Sequence, residues 1–115
     1  MNLYIHVDNS GFFRKQMKIF LTELGLQVES YDRGEDAINA VKAGGVACVL
    51  TGLELADMSG EVFITRLNAL GLPLQIITVT SKEDEELQKR LSALGVIANI
   101  QKTGHWKRDL GAILV

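Results

Sequence analysis

Cysteine and proline are nearly absent from this sequence, since the 115-residue chain contains one of each. The lone Cys48 cannot form an internal disulfide or a cysteine-rich metal site, and its place in an apolar run predicts a buried thiol. No apolar stretch approaches the roughly 18 residues that a membrane span needs. Asp8 follows the first apolar run too early for a secretory signal. These absences favour a cytoplasmic protein.

The chain also lacks an excess of positive charge. Its 12 lysine and arginine residues against 14 aspartate and glutamate residues give a net charge of −2. Direct binding to nucleic acid is therefore not expected, because a phosphate backbone attracts basic surfaces. With 47% hydrophobic and 23% charged residues, the chain can close one hydrophobic core, and we predict a single domain over residues 1–115.

Two hydrophobic periods alternate five times along the chain. Short β-rich runs predict strands at residues 3–7, 26–30, 46–51, 73–80 and 96–100. Between and after them, apolar residues recur with the helical period, as Phe13, Met17, Leu21 and Leu24 do. Near-continuous apolar strands joined by helices predict an α/β fold, a doubly wound (βα)5 three-layer sandwich with a parallel sheet.

Helix boundaries are marked by glycines and by capping residues. Four glycines follow the helical stripes and predict left-handed C-terminal caps: Gly25, Gly44, Gly71 and Gly95. Asp32 with Glu35 has the three-residue spacing of a capping box, and Ser81 with Asp84 has the same spacing. Ser59 is the predicted cap of the third helix.

Polar residues stand at the carboxyl ends of the predicted strands, where doubly wound sheets bind ligands. In this sequence they resemble the receiver domain of two-component response regulators, and the resemblance covers essentially the whole chain. The stretches that carry it are Val7-Asp8-Asn9-Ser10, Val49-Leu50-Thr51-Gly52-Leu53-Glu54-Leu55, Asp57-Met58-Ser59-Gly60, Ile77-Thr78-Val79-Thr80-Ser81 and Ile100-Gln101-Lys102-Thr103. The resemblance implies a flavodoxin-like sheet with strand order 2-1-3-4-5.

The resemblance also implies a set of site residues, which this chain matches only in part. Receivers bind Mg²⁺ through an acidic pair after the first strand, and here Asp8 is followed by Asn9. Gly52 stands where the family has its phospho-accepting aspartate. Thr80 and Lys102 occupy the hydroxyl and lysine positions that grip the transferred phosphate. We call these five residues the degenerate pocket.

Two consequences follow for the chemistry of the degenerate pocket. Gly52 has no side chain and cannot be a nucleophile, so a phosphoryl acceptor is not expected. No metal site is predicted and Mg²⁺ binding should be weak or absent, because Asp8 is the one carboxylate unless Glu54 bends back. Asp8 and Lys102 balance in charge without a cation, and we hypothesise that they form a partly buried ion pair.

Three further positions bear on signalling. Asn99 occupies the place of the aromatic switch residue, three residues before the lysine, so the resemblance implies that phosphorylation-dependent switching is lost. His6, within the first strand, is predicted to be a buried and hydrogen-bonded imidazole. His105 and Trp106 begin the last helix, where Trp106 either packs in the core or belongs to a partner face. Receivers commonly use the last two helices and the last strand for partners and homodimers.

The prediction is therefore a non-enzymatic pseudo-receiver in two-component signal transduction, acting through contacts with a signalling protein or an output domain. It needs no cofactor, nucleic acid or membrane. Three alternatives stay open: the vacated pocket senses a small anion or metabolite, the chain is an ordinary receiver altered at one position, or it is the regulatory N-terminal domain of a longer transcriptional regulator.

Overall fold

Five parallel strands form one sheet in the order predicted. In the computed structural model, which describes residues 3–114, the strands are β1 (Leu3–Val7), β2 (Gln27–Tyr31), β3 (Val46–Thr51), β4 (Gln75–Thr80) and β5 (Ala98–Gln101). Their order is β2-β1-β3-β4-β5, and all four pairings are parallel. The α/β prediction and the strand order are confirmed. Met1, Asn2 and Val115 of the predicted domain lie outside the described residues.

Three strands begin one or two residues later than predicted, for two physical reasons. The backbone N–H groups of Leu26 and Val96 donate to the carbonyls of Leu21 and Leu91, at 3.0 and 3.1 Å. These bonds close the preceding helices, so the donors cannot also serve a strand. Pro73 has no N–H to offer the sheet, which delays the fourth strand.

Helices cover both faces of the sheet. They are α1 (Gly11–Glu23), α2 (Gly34–Lys42), α3 (Gly60–Asn68), α4 (Glu85–Ala93) and α5 (Trp106–Leu114). Side chains alternate across each strand, so Ile5 and Val49 pack with α2, α3 and α4, whereas Cys48 and Leu50 pack with α1 and α5. Within residues 3–114, no helix combines the length and the apolarity needed to cross a membrane.

Helix caps agree with the prediction at some ends and contradict it at others. Ser59 Oγ accepts from the Val62 N–H at 3.1 Å, and the four predicted glycines have positive φ. Both predicted capping boxes are wrong. Helix α4 begins at Glu85 and is capped by Asp84, so Ser81 precedes the helix. Helix α2 begins after Arg33, whose side chain makes no cap, and the cap comes from Asp57 instead.

Candidate functional site

All five residues of the degenerate pocket meet in one cleft at the carboxyl edge of the sheet. The cleft has a volume of about 280 Å³. It forms there because β1, β3, β4 and β5 are consecutive neighbours and end at the same edge. Its lining consists of Asp8, Asn9, Ser10, Gly52, Leu53, Glu54, Val79, Thr80, Ser81, Lys82 and Lys102.

Asp8 and Lys102 form the ion pair that the charge balance predicts. Lys102 Nζ lies 2.7 Å from Asp8 Oδ2, and the two side chains are 24% and 5% exposed. The contact is a close ion pair without hydrogen-bond alignment at Oδ2. Asp8 Oδ1 accepts from the Ser10 N–H at 2.9 Å. Lys102 Nζ also lies 4.3 Å from the centre of the Phe13 ring, a cation–π contact that adds to the pairing.

Gly52 lies directly beside the Asp8 carboxylate. Its N–H donates to the Val7 carbonyl at 2.8 Å. A Cβ placed on Gly52 would lie 3.1 Å from Asp8 Oδ2 and 3.3 Å from Asp8 Cγ. Because Gly52 is not among the glycines with positive φ, its backbone does not require glycine. What this residue contributes to the cleft is space.

Three further polar residues of the cleft, Thr80, Lys82 and Glu54, contact one another. Thr80 Oγ1 accepts from the Lys82 N–H at 3.1 Å. At the mouth, Lys82 Nζ lies 3.4 Å from Glu54 Oε1, and the Glu54 side chain is 76% exposed. Glu54 therefore turns toward Lys82 at the surface. No group of three or more His, Cys, Asp or Glu side chains within residues 3–114 is arranged to hold a metal ion.

Asp57, which the sequence analysis did not single out as a capping residue, connects the loop after β3 to α2. Its carboxylate accepts from the N–H groups of Gly34 and Glu35 at 2.7 and 3.0 Å. Partial burial raises the pKa of Asp57, but the hydrogen bonds from Glu35 and Gly34 outweigh it and leave the pKa below its ordinary value. No local sequence pattern predicts this cap, because the contact joins segments about twenty residues apart.

Asn99, which the resemblance assigns to the switch position, is tied to the neighbouring strand. Its Oδ1 accepts from Thr78 Oγ1 at 2.7 Å, and the two residues stand opposite each other in the β4–β5 register. This bond fixes the carboxamide between the strands. Asn99 Nδ2 is buried and has no hydrogen-bond partner among the described residues.

His6 is buried as predicted but is not hydrogen-bonded, so that part of the prediction is wrong. The imidazole is fully buried and its centroid lies 5.8 Å from that of Phe13 in an edge-to-face arrangement. Neither ring nitrogen has a hydrogen-bond partner among the described residues. Burial lowers the pKa of His6 to about 4. Asp8 opposes that shift, whereas Lys102 and Arg14 add to it.

Trp106 is partly buried and packs against α1, which is the core packing that the sequence analysis offered as one of its two placements. Its ring lies 4.9 Å from Phe13 and 5.4 Å from Phe20, centroid to centroid, so it joins α5 to α1. Aromatic area buried in this way stabilises the helix pair. His105, the other residue of that predicted face, is exposed.

Comparisons with known proteins agree with this geometry. A family model described as the response regulator receiver domain matches residues 5–112. Sensor histidine kinase RcsC of Salmonella typhimurium is 27% identical over 96 residues, which are 84% of this chain and 10% of the kinase. RcsC of Escherichia coli K12 is 28% identical over the same shares. The chain therefore spans about a tenth of these curated relatives.

Solved structures show the same fold at low identity. The chemotaxis protein CheY4 of Vibrio cholerae gives a TM-score of 0.89 with 18% identity, over 99% of this chain and 97% of that one. A CheY-like receiver domain protein of Methanospirillum hungatei gives 0.89 with 21% identity, over 99% and 90%.

Proposed function

Since the chain belongs to the response regulator receiver domain family, and so to two-component signalling, we propose that it transmits a signal through protein contacts without being phosphorylated. The observation that carries this proposal is Gly52. At the end of β3, where the resemblance implies a phospho-accepting aspartate, the chain offers hydrogen in place of a carboxylate. Phosphoryl transfer needs a nucleophilic group in line with the leaving group, and glycine has no side chain to supply one.

The neighbouring carboxylates do not supply a substitute nucleophile. Asp8 is 5% exposed and its two oxygens face Lys102 and the Ser10 N–H. Glu54 is exposed but lies against Lys82 at the mouth of the cleft. An attacking oxygen must approach phosphorus in line with the leaving group. We expect neither carboxylate to do so, because Asp8 is buried and paired with Lys102 and Glu54 turns toward Lys82 at the mouth of the cleft.

The same contacts argue against a Mg²⁺ site. Mg²⁺ prefers one or two carboxylates with several waters in octahedral geometry. Asn9 supplies a neutral amide where the family has an acid, and Lys102 already neutralises Asp8. Binding of Mg²⁺ at this cleft would place a second cation beside the Lys102 ammonium. We expect the chain to show weak Mg²⁺ binding or none, and no catalysis of its own.

The partner in this proposal is another signalling protein or an attached output domain. RcsC, a sensor histidine kinase that resembles this chain over 96 residues, indicates the kind of assembly in which such a module works. The site of action would be the cytoplasm, where two-component phosphotransfer takes place. Homodimerisation through α4, β5 and α5 remains a hypothesis of the same class.

The test is incubation of the purified chain with acetyl phosphate and Mg²⁺, followed by intact mass measurement. A phosphorylatable receiver incubated in parallel shows that the reagent is active. We expect no mass gain in this chain. A stoichiometric, hydroxylamine-sensitive gain of one phosphoryl group would overturn the proposal, because it would reveal an acyl phosphate.

A second function is favoured by the cleft itself, which keeps a volume of about 280 Å³ and has Lys82 and Ser81 at its mouth. A small anion held there without covalent chemistry would make the module a sensor. Titration with phosphate or sulfate, followed by thermal unfolding, tests this alternative. A saturable rise in Tm that Lys82→Met abolishes would support it, and a flat response would exclude it.

A further inference from the structure

We propose that Asp8 is a built-in anion for Lys102 and that Gly52 is the residue that makes room for it. We call the arrangement of these three residues the internal lock. The inference rests on the proposed function in one respect, which is that the receiver pocket has no phospho-accepting aspartate. It deepens that function by explaining what fills the pocket instead. Its tests use no phosphate, so the two ideas can fail separately.

Asp8 is held in place from several directions. Its Oδ1 accepts from the Ser10 N–H at 2.9 Å, at the residue that caps α1. Its carbonyl accepts from Arg14 Nη1 at 2.7 Å, and its N–H donates to the Tyr31 carbonyl at 3.1 Å. The backbone of Asp8 is therefore held on both sides, and its carboxylate cannot turn away without losing the Ser10 hydrogen bond.

Lys102 is drawn inward by two groups at once. Its ammonium lies 2.7 Å from Asp8 Oδ2 and 4.3 Å from the Phe13 ring centre. Its backbone N–H donates to the Thr80 carbonyl at 2.9 Å, which anchors the residue at the end of β5. With the side chain 24% exposed, most of it is withdrawn from solvent, where an unpaired lysine would extend.

Position 52 leaves the space that the Asp8 carboxylate occupies. A Cβ there would lie 3.1 Å from Asp8 Oδ2 and 3.3 Å from Asp8 Cγ, closer than carbon and these atoms normally approach. A side chain at position 52 therefore requires Asp8 to shift by a few tenths of an ångström from the position in which it contacts Lys102, so the lock and that side chain compete for the same space. Gly104 provides the contrast, since a Cβ added there meets nothing within 4 Å and its φ also lies outside the positive range.

The same crowding opposes restoring the family's acceptor aspartate by a single substitution. Gly52→Asp would put a second carboxylate beside Asp8, with Lys102 as the one cation between them. Two carboxylates in contact repel each other and compete for the lysine. We therefore expect that this single substitution lowers stability, because a side chain at position 52 displaces Asp8 from Lys102.

The experiment is a double-mutant cycle on thermal unfolding. Gly52→Ala should lower Tm in the natural chain, whereas Gly104→Ala should leave it unchanged or slightly raise it. In an Asp8→Ala background, Gly52→Ala should cost little, because the atoms that its Cβ meets have gone. Equal losses of Tm in the two backgrounds, or a Gly52→Ala loss no larger than that of Gly104→Ala, would overturn the proposal.

A second measurement covers the case in which a variant does not fold. Lysine acetylation of the natural chain, read by peptide mass spectrometry, should modify Lys102 at least several-fold more slowly than Lys82, whose side chain is 57% exposed. Equal rates would refute the lock. Phosphorylation by acetyl phosphate together with a non-additive cycle would overturn the proposed function and leave the lock standing. An additive cycle without phosphorylation would overturn the lock and leave the proposed function standing.

Discussion

Replacing Lys102 by methionine tests how much the ion pair stabilises the fold. Methionine keeps most of the aliphatic length, so the substitution removes the charge with little change in volume. It leaves Asp8, 5% exposed, with a carboxylate that keeps one hydrogen bond, from Ser10, and has lost its cation. A buried charge without a partner is among the few single changes that destabilise a domain strongly.

The expected magnitude follows from the burial of the two partners. Breaking a fully buried pair by removing one member costs about 3–5 kcal/mol. Lys102 is 24% exposed, so solvent can reach the vacated position and relieve part of that cost. We expect a loss of about 2–3 kcal/mol, within which the lost cation–π contact to Phe13 accounts for about 0.5–1 kcal/mol. For a domain of this size, that corresponds to a fall in Tm of roughly 10 °C.

The assay is urea unfolding followed by circular dichroism and by the fluorescence of Trp106. Lys82→Met is the matched control, because its pair with Glu54 is exposed on both sides and should contribute less than about 1 kcal/mol. The double variant Asp8→Asn with Lys102→Met should recover much of the loss, since no unpaired charge remains. If Lys102→Met and Lys82→Met had the same unfolding midpoint, the reasoning about the buried pair would be refuted.

Three further predictions concern other parts of the fold. Burial lowers the pKa of His6 to about 4 from 6.5, so the unfolded chain binds a proton that the folded chain excludes. The free energy of unfolding should therefore fall by up to about 3 kcal/mol as pH drops from 6.5 to 4. In urea titrations across this range, His6→Phe should reduce the dependence of that free energy on pH, and His105→Gln, at an exposed histidine, should leave it unchanged. Asp57→Ala should cost about 1–2 kcal/mol in urea unfolding by uncapping α2, and Asp57→Asn should retain most of the stability; equal losses would contradict the capping role. Burial raises the pKa of Cys48 to about 12, so a thiol reagent should label the chain only after unfolding, and rapid labelling of the native protein would contradict this.

The architecture could be predicted from the sequence because its causes are local. The period of the apolar residues distinguishes helix from strand within a few positions, and β1 and β3 have the bounds that this period predicts. Right-handed connections between parallel strands then bring Asp8, Gly52, Thr80 and Lys102 to one edge. The strand order itself needed the family resemblance, since periodicity does not select which strands are neighbours.

The details that the sequence analysis missed or left open depend on contacts between distant segments. Asp57 caps α2 from the loop after β3, whereas the local capping-box spacing predicted Asp32 as the acceptor. Trp106 packs against Phe13 and Phe20, whereas its position in the helix alone allowed both core packing and a partner face. In both cases local sequence preference is a weak guide, and the tertiary contacts decide the outcome.

By itself the sequence determined that this chain is a parallel α/β domain in which a glycine, Gly52, follows the third strand, because hydrophobic period and residue identity do not depend on folding. Only the tertiary structure decided how that pocket is filled. A 2.7 Å approach between Asp8 and Lys102 and the space beside Gly52 arise from strands that are far apart in the chain and adjacent in the sheet. Their energies depend on burial and distance, which exist only once the sheet has formed.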